Sequence, residues 1–304
     1  MRIVIAGGTG FLGQPLANRL VAEGHDVVIL TRGSARAGAV ARPRLVTWTP
    51  DGEVAPWAAE IDGAGAVINL AGVSIAGGRW SAVHKQRVLD SRVRATSSLA
   101  EACRRASVPP SVFISGSAVG FYGPHGDEIL TEEAAAGSDF LAGVCVRWEA
   151  EAGRAAGAST RLVCLRTGLV LDRSGGALPQ MLLPFRFGVG GPVGSGRQYW
   201  PWIHYDDWLA LVIWIIDTPA VSGPLNATAP VPVSNTDFAR ALGRALGRPA
   251  FLPTPAFALR LLLGEMADAL LLSGQRALPA KAERLGFRFR YPRIDDALRA
   301  MFPD

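Results

Sequence analysis

Lysine is almost missing from this 304-residue chain: Lys85 and Lys281 are the only two. The other basic side chains are arginines, and they are scattered rather than clustered. A nucleic-acid face needs clustered cations, so the net charge of +5 does not point to nucleic acid. Cysteine is scarce as well. Cys103, Cys145 and Cys164 make no Cys-x-x-Cys pair and leave an odd count. That argues against a disulfide framework and against a zinc site, so no metal is expected. Long apolar runs are also lacking. The stretch before Gly7 is too short for a signal peptide. The run from Trp208 to Ile216 is too short to span a bilayer as a helix. The expectation is a cytoplasmic protein without membrane contact, a monomer or a homodimer.

Apolar residues make up 49% of the chain, enough for a substantial core. Glycine and proline are plentiful but not periodic. In the first half, short β-type runs alternate with helical ones. Strands are expected at Arg2–Ala6, Val27–Thr31, Leu45–Trp48, Ala66–Leu70, Val112–Ser115 and Arg161–Arg166. Helices are expected at Leu12–Glu23, Val83–Ala106 and Phe140–Ala156. This alternation predicts an α/β Rossmann-type doubly wound parallel sheet with helices on both faces. After Arg166 the rhythm changes. Gly175–Gly196 reads as an irregular excursion, and Ala258–Leu272 as one strongly apolar helix. The expected organisation is a nucleotide-binding domain over residues 1–170, rejoined by 197–222. Residues 171–196 and 223–304 would form a smaller C-terminal cap.

Gly7-Gly8-Thr9-Gly10-Phe11-Leu12-Gly13 lies between the first strand and the first helix. Gly7 permits the tight turn, Gly10 a close approach of a diphosphate, and Gly13 the packing of helix on strand. Backbone N–H groups and the helix dipole would hold the anion. Such a motif is informative because strand and helix flank it. Binders of NAD usually carry an acid at the end of the second strand. Here that end reads Thr31-Arg32-Gly33-Ser34, with no acid. Arg32 suits a 2′-phosphate, with Thr31 and Ser34 adding hydroxyls. Asp26 stands at the wrong end of the strand. The cofactor expected is NADP.

The spacing of Gly7, Gly10 and Gly13 resembles the extended short-chain dehydrogenase/reductase superfamily. Asn69-Leu70-Ala71-Gly72 and Ser115-Gly116-Ser117-Ala118 resemble its fourth- and fifth-strand motifs. Trp202–Asp207 and Gly223–Asn226 resemble later landmarks of its nucleotide-sugar epimerase-like branch. Gly78-Arg79-Trp80, Ser91-Arg92-Val93, Arg147-Trp148-Glu149, the Leu182–Gly196 stretch and Gly274-Gln275-Arg276 are similar to the subgroup known as family 39U. The likeness spans nearly the whole chain. It implies an NADP cofactor bordered by Thr9, Phe11, Leu12, Leu70, Ala71, Gly72 and Ser115, with Thr167, Gly168 and Val170 beside the nicotinamide. It does not supply a substrate.

The superfamily's chemistry uses a tyrosine with a lysine four residues on. None of Tyr122, Tyr199, Tyr205 and Tyr291 has that lysine. A phenol near its ordinary pKa of about 10 is a poor base without a cationic neighbour. Where relatives carry an active-site Asn, Arg92 stands, and it can take over the missing lysine's place near the cofactor. Ser117 is the candidate to bind and polarise a substrate oxygen. Tyr122 and Glu149 are further catalytic candidates, although packing and solvation are the plainer readings of both. His204 and Cys145 read as structural. Two functions follow. One is an NADP-binding, epimerase-like oxidoreductase acting on a small carbonyl, alcohol or sugar-type substrate. The other is a non-catalytic NADP-binding sensor or scaffold.

Overall fold

The computed structural model describes residues 1–33 and 43–303. Ser34, one of the expected phosphate-side hydroxyls, lies outside the described residues. The first five strands are β1 (Arg2–Ala6), β2 (Asp26–Thr31), β3 (Arg44–Thr47), β4 (Ala66–Asn69) and β5 (Val112–Ala118). A two-residue β6 (Ile129–Leu130) precedes β7 (Arg161–Thr167), β8 (Leu169–Leu171), β9 (Tyr199–Trp200) and β10 (Trp202–His204). The last are β11 (Gly223–Ala227), β12 (Val233–Ser234) and β13 (Arg276–Ala277). Seven of these form one parallel sheet in the order β3-β2-β1-β4-β5-β7-β11. The order reverses between β1 and β4, which opens a crevice at their carboxyl ends.

The helices are α1 (Gly13–Ala22), α2 (Ala82–Arg105), α3 (Phe140–Gly153), α4 (Leu178–Arg186) and α5 (Tyr205–Asp217). They continue as α6 (Asn235–Leu246), α7 (Ala256–Leu263), α8 (Glu265–Ala267), α9 (Ala280–Arg284) and α10 (Ile294–Met301). The apolar strands feed two cores because successive side chains point to opposite faces. Ile3 and Ile5 of β1 meet Leu16 and Leu20 of α1 and Trp208 and Leu211 of α5. Val4 and Ala6 face the other way, toward Leu99 of α2, Ala152 of α3 and Trp57. A third cluster joins α4, α6 and α10 through Phe185, Phe238, Leu242 and Leu298.

Three parts differ from the sequence expectation. Gly223–Ala227, placed there with the cap, is the seventh strand of the sheet, paired with β7. Its Gly-Pro start is a weak strand signal, tolerated because the strand lies at the edge. The excursion over 175–196 contains helix α4. The apolar helix expected over 258–272 is broken at Gly264, whose φ of +62° ends α7.

The carboxyl terminus is fastened to the sheet layer by two adjacent side chains. Asp207 accepts the backbone N–H groups of Arg290 at 2.8 Å and Tyr291 at 2.9 Å. Burial pushes its carboxyl upward. His204 caps α5, its Nδ1 accepting from Asp206 N–H at 3.0 Å, and its ring lies 3.9 Å from that of Tyr291. Burial holds the imidazole below its ordinary value, which keeps Nδ1 an acceptor. A histidine with a lowered folded pKa gives stability that is complete above its unfolded value of about 6.5 and is lost as pH falls. The raised Asp207 carboxyl acts in the opposite sense, but at lower pH. Urea midpoints should therefore decline between about pH 7 and pH 5. His204→Asn, which retains a capping oxygen, should flatten that decline. An equal decline in the variant would contradict the assignment.

Candidate functional site

The loop after β1 contains two kinds of glycine. Gly7 turns with φ at +78°, and a Cβ on it would sit 2.7 Å from the Leu70 carbonyl carbon. A Cβ on Gly13 would lie 2.3 Å from Gly7 O and 2.6 Å from Gly8 Cα. Gly7 is demanded by the approach of the loop to the chain after β4, and Gly13 by the packing of the start of α1 on the loop. Gly10 differs. The single atom close to its missing side chain is Gly7 O at 3.3 Å, and the residue lines the cleft. Leu12 precedes α1, which has no capping side chain and no acid in its first turn. The positive end of the helix dipole is therefore left for an anion.

A cleft of about 320 Å³ opens along the carboxyl ends of β1, β2 and β4. Of the expected cofactor residues, Gly7, Thr9, Gly10, Thr31, Arg32, Leu70, Ala71 and Gly72 line it. Arg32 is exposed, and no carboxylate among the described residues pairs with it. Asp26 lies at the amino end of β2, 3.5 Å from Arg2. The sequence reading missed Leu30, Gly33, Trp48, Pro50, Val73 and Ser91, which complete the lining. Trp48 is drawn in by its N–H bond to Thr31 O, at 3.0 Å, and by edge packing on Trp57. The third strand, weak in the sequence, is what carries it there.

Other expected residues lie outside that lining. Phe11 packs against Tyr205 and beneath Gly175 and Gly176. Ser115 is wholly buried on β5. Thr167 Oγ1 accepts Trp208 Nε1–H at 3.2 Å. Gly168 N–H donates to Ala227 O at 3.1 Å, and a Cβ on Gly168 would meet Pro201 O at 2.6 Å. Val170 is in the core beside them.

Arg92 is buried on α2 with 9% exposure. Its Nη1 donates to Val73 O and Val88 O, both at 3.1 Å, and its guanidinium stands 5.2 Å from the Trp148 ring. A Cβ on the cleft residue Gly72 would be 3.3 Å from it. No carboxylate among the described residues pairs with it, and burial lowers its pKa. A buried cation lacking a counterion is costly, and two backbone carbonyls, of Val73 and Val88, supply its partners here.

The other three catalytic candidates form one network around Arg166. Inner-face positions of α3, Cys145, Trp148 and Ala152, pack on the sheet, and this brings Glu149 over the end of β5. Ser117 Oγ donates to Glu149 Oε1 at 2.6 Å. Arg166, at the end of β7, grips the same carboxylate with Nε and Nη2, each at 2.9 Å. Its Nη1 donates to Tyr122 OH at 3.1 Å and Glu132 O at 3.3 Å. Tyr122, fully enclosed, donates to Asn226 Oδ1 at 2.7 Å, and burial raises its pKa. Sequence reasoning placed Arg166 only as a strand end. The one available signal was a charge closing an apolar strand.

Neither lysine supplies the absent cation. Lys85 pairs with Glu265, and Lys281 donates to the Ser222 and Pro224 carbonyls. Cys145 is buried, its thiol pushed up to about 11. Among the described residues no cluster of metal-binding side chains occurs, and no helix is long and apolar enough to cross a membrane. The two kinds of glycine give a clear expectation. Gly13→Ala should lower stability by about 1–3 kcal/mol or prevent folding, as overpacking does. Gly10→Ala should fold with a melting temperature near wild type. A Gly10→Ala loss as large as that of Gly13→Ala would refute the distinction.

The family model for the NAD dependent epimerase/dehydratase family matches residues 3–227, and the one described as Domain of unknown function (DUF1731) matches 254–301. The chain is 39% identical over 303 residues to the Epimerase family protein SDR39U1 homolog, chloroplastic, of Arabidopsis thaliana, covering 99% of this chain and 86% of the relative. It is 40% identical to Epimerase family protein YfhF of Bacillus subtilis, covering 100% and 99%. The crystal structure of human epimerase family protein SDR39U1 with NADPH superposes with a TM-score of 0.90 at 36% identity, covering both chains fully. The matched fold, the glycine loop and the length of the likeness agree: this chain belongs to the NAD-dependent epimerase/dehydratase family, and within it to the group that carries a DUF1731 C-terminal region.

Proposed function

We propose that the chain binds NADP in the cleft over β1, β2 and β4 and acts as an epimerase-like oxidoreductase on a small carbonyl, alcohol or sugar-type substrate. The carrying observation is that Gly10, open toward the cleft, and Arg32, which no carboxylate among the described residues pairs with, both line it. The relative from human was crystallised with NADPH, which supports the same reading. Gly10 and the start of α1 would face the diphosphate. Arg32 and Thr31 would hold a 2′-phosphate. Leu70, Ala71 and Gly72 would wall the adenosine side. Ser115, Thr167, Gly168 and Val170 would underlie the nicotinamide.

When bound, the nicotinamide supplies a hydride donor or acceptor. The chain's own contribution is orientation and charge. Ser117 holds the substrate oxygen. Glu149 and Arg166 hold Ser117, and Tyr122 steadies Arg166 rather than meeting the substrate. Arg92 lends positive charge where a lysine is missing. Residues 171–196 and the segment after β11 form the cap under which the substrate lies.

Arg32→Glu replaces a phosphate partner with a repelling charge. Titration calorimetry should show wild type favouring NADPH over NADH. The variant should lose roughly tenfold or more in NADPH affinity, with NADH little affected. An unchanged preference would overturn the cofactor assignment.

A further inference from the structure

We infer that Arg166, acting through Glu149, fixes Ser117 as a hydrogen-bond acceptor toward the substrate. The substrate group facing Ser117 is then a hydroxyl or amine, not a carbonyl or carboxylate oxygen. That a substrate faces Ser117 rests on the proposed function; the polarity of the hydroxyl does not.

A serine hydroxyl has one proton and two lone pairs. Glu149 Oε1 takes that proton at 2.6 Å. Both carboxylate oxygens also receive guanidinium N–H groups at 2.9 Å. This two-pronged grip uses both Glu149 oxygens as acceptors, which leaves the proton of the Ser117–Glu149 contact to the serine. Turning the Ser117 proton outward would set an oxygen lone pair against a carboxylate oxygen and forfeit a charge-assisted bond. No hydrogen bond donated to Ser117 Oγ is formed among the described residues, so its lone pairs are left for a substrate that reaches it.

The guanidinium cannot drift to relax this arrangement. Its side chain is 4% exposed, it lies 3.4 Å from the Phe121 ring centre, and Nη1 is tied to Tyr122 and Glu132. The neighbouring Cys145 does not compete for the proton. Its thiol stays protonated at neutral pH, being pushed up to about 11, and donates toward Ala118 O. Arg166 is a positioning residue in this scheme. It touches no substrate and sets the sense of the bond that Ser117 makes.

Neutron diffraction from perdeuterated wild-type crystals reads this polarity directly. The deuteron of Ser117 should lie on the line to Glu149, with Glu149 bare. A deuteron turned into the cleft, or one on Glu149, overturns the inference. Matched probes test the consequence. Cyclohexanol and cyclohexanone are titrated without cofactor, so that no turnover intervenes, and followed by protein NMR. Wild type should favour the alcohol by roughly tenfold. In Glu149→Gln the carboxamide N–H can donate to Ser117 and free its proton, so the preference should vanish or reverse. Equal or tighter ketone binding by wild type overturns the inference, as does an unchanged preference in a folded Glu149→Gln protein. If neither probe binds or the variant does not fold, the deuteron position decides. Failure to bind NADPH would sink the cofactor reading without moving that deuteron.

Discussion

One buried guanidinium governs how the carboxyl ends of β5 and β7 are assembled. A charge removed from water is tolerated only when its hydrogen-bonding capacity is met. Arg166 meets that demand with a carboxylate from α3, a phenol from the turn after β5 and a carbonyl at Glu132. The chain continues outward from these partners. Tyr122 binds Asn226 on β11, and Asn226 Nδ2 donates to Leu278 O. Glu132 accepts the N–H groups of Asn226 and Lys281. Ser117, through Glu149, and the C-terminal segments are thus parts of one polar cluster. Removing the arginine would leave the largely enclosed Glu149 carboxylate without the two guanidinium hydrogen bonds that hold it.

The parts of this molecule with local causes were legible in the sequence. The glycine turn declares itself because Gly7 and Gly13 are forced by contacts within the loop and with the adjoining strand. The central strands announce themselves by apolar runs that serve two cores at once. Arg32 stood out by the acid it replaces. What was missed has distant causes. Arg166 reads as a charge closing a strand, and its partners lie 17, 44 and 34 residues away. Trp48 joins the cleft because β3 pairs with β2, a contact no local pattern encodes. β11 begins Gly-Pro and gains its place from an edge position. In 258–272 apolar character suggested one helix, while Gly264 dictated two short pieces.

The missing tyrosine–lysine pair acquires a physical meaning from the geometry. The four tyrosines include none beside a lysine, and both lysines are committed elsewhere. Cationic character near the cleft comes instead from Arg92, which is buried and lacks a carboxylate partner among the described residues. Guanidinium does not give up its proton, so Arg92 can stabilise charge but cannot shuttle protons. The family membership secures the scaffold.

A crystal structure of the protein with NADPH tests the account most directly. It should place the 2′-phosphate against Arg32, the diphosphate over Gly10 and the start of α1, and the nicotinamide toward Ser117 and Arg92. A dinucleotide lying elsewhere, or one whose nicotinamide is walled off from Ser117, would contradict it.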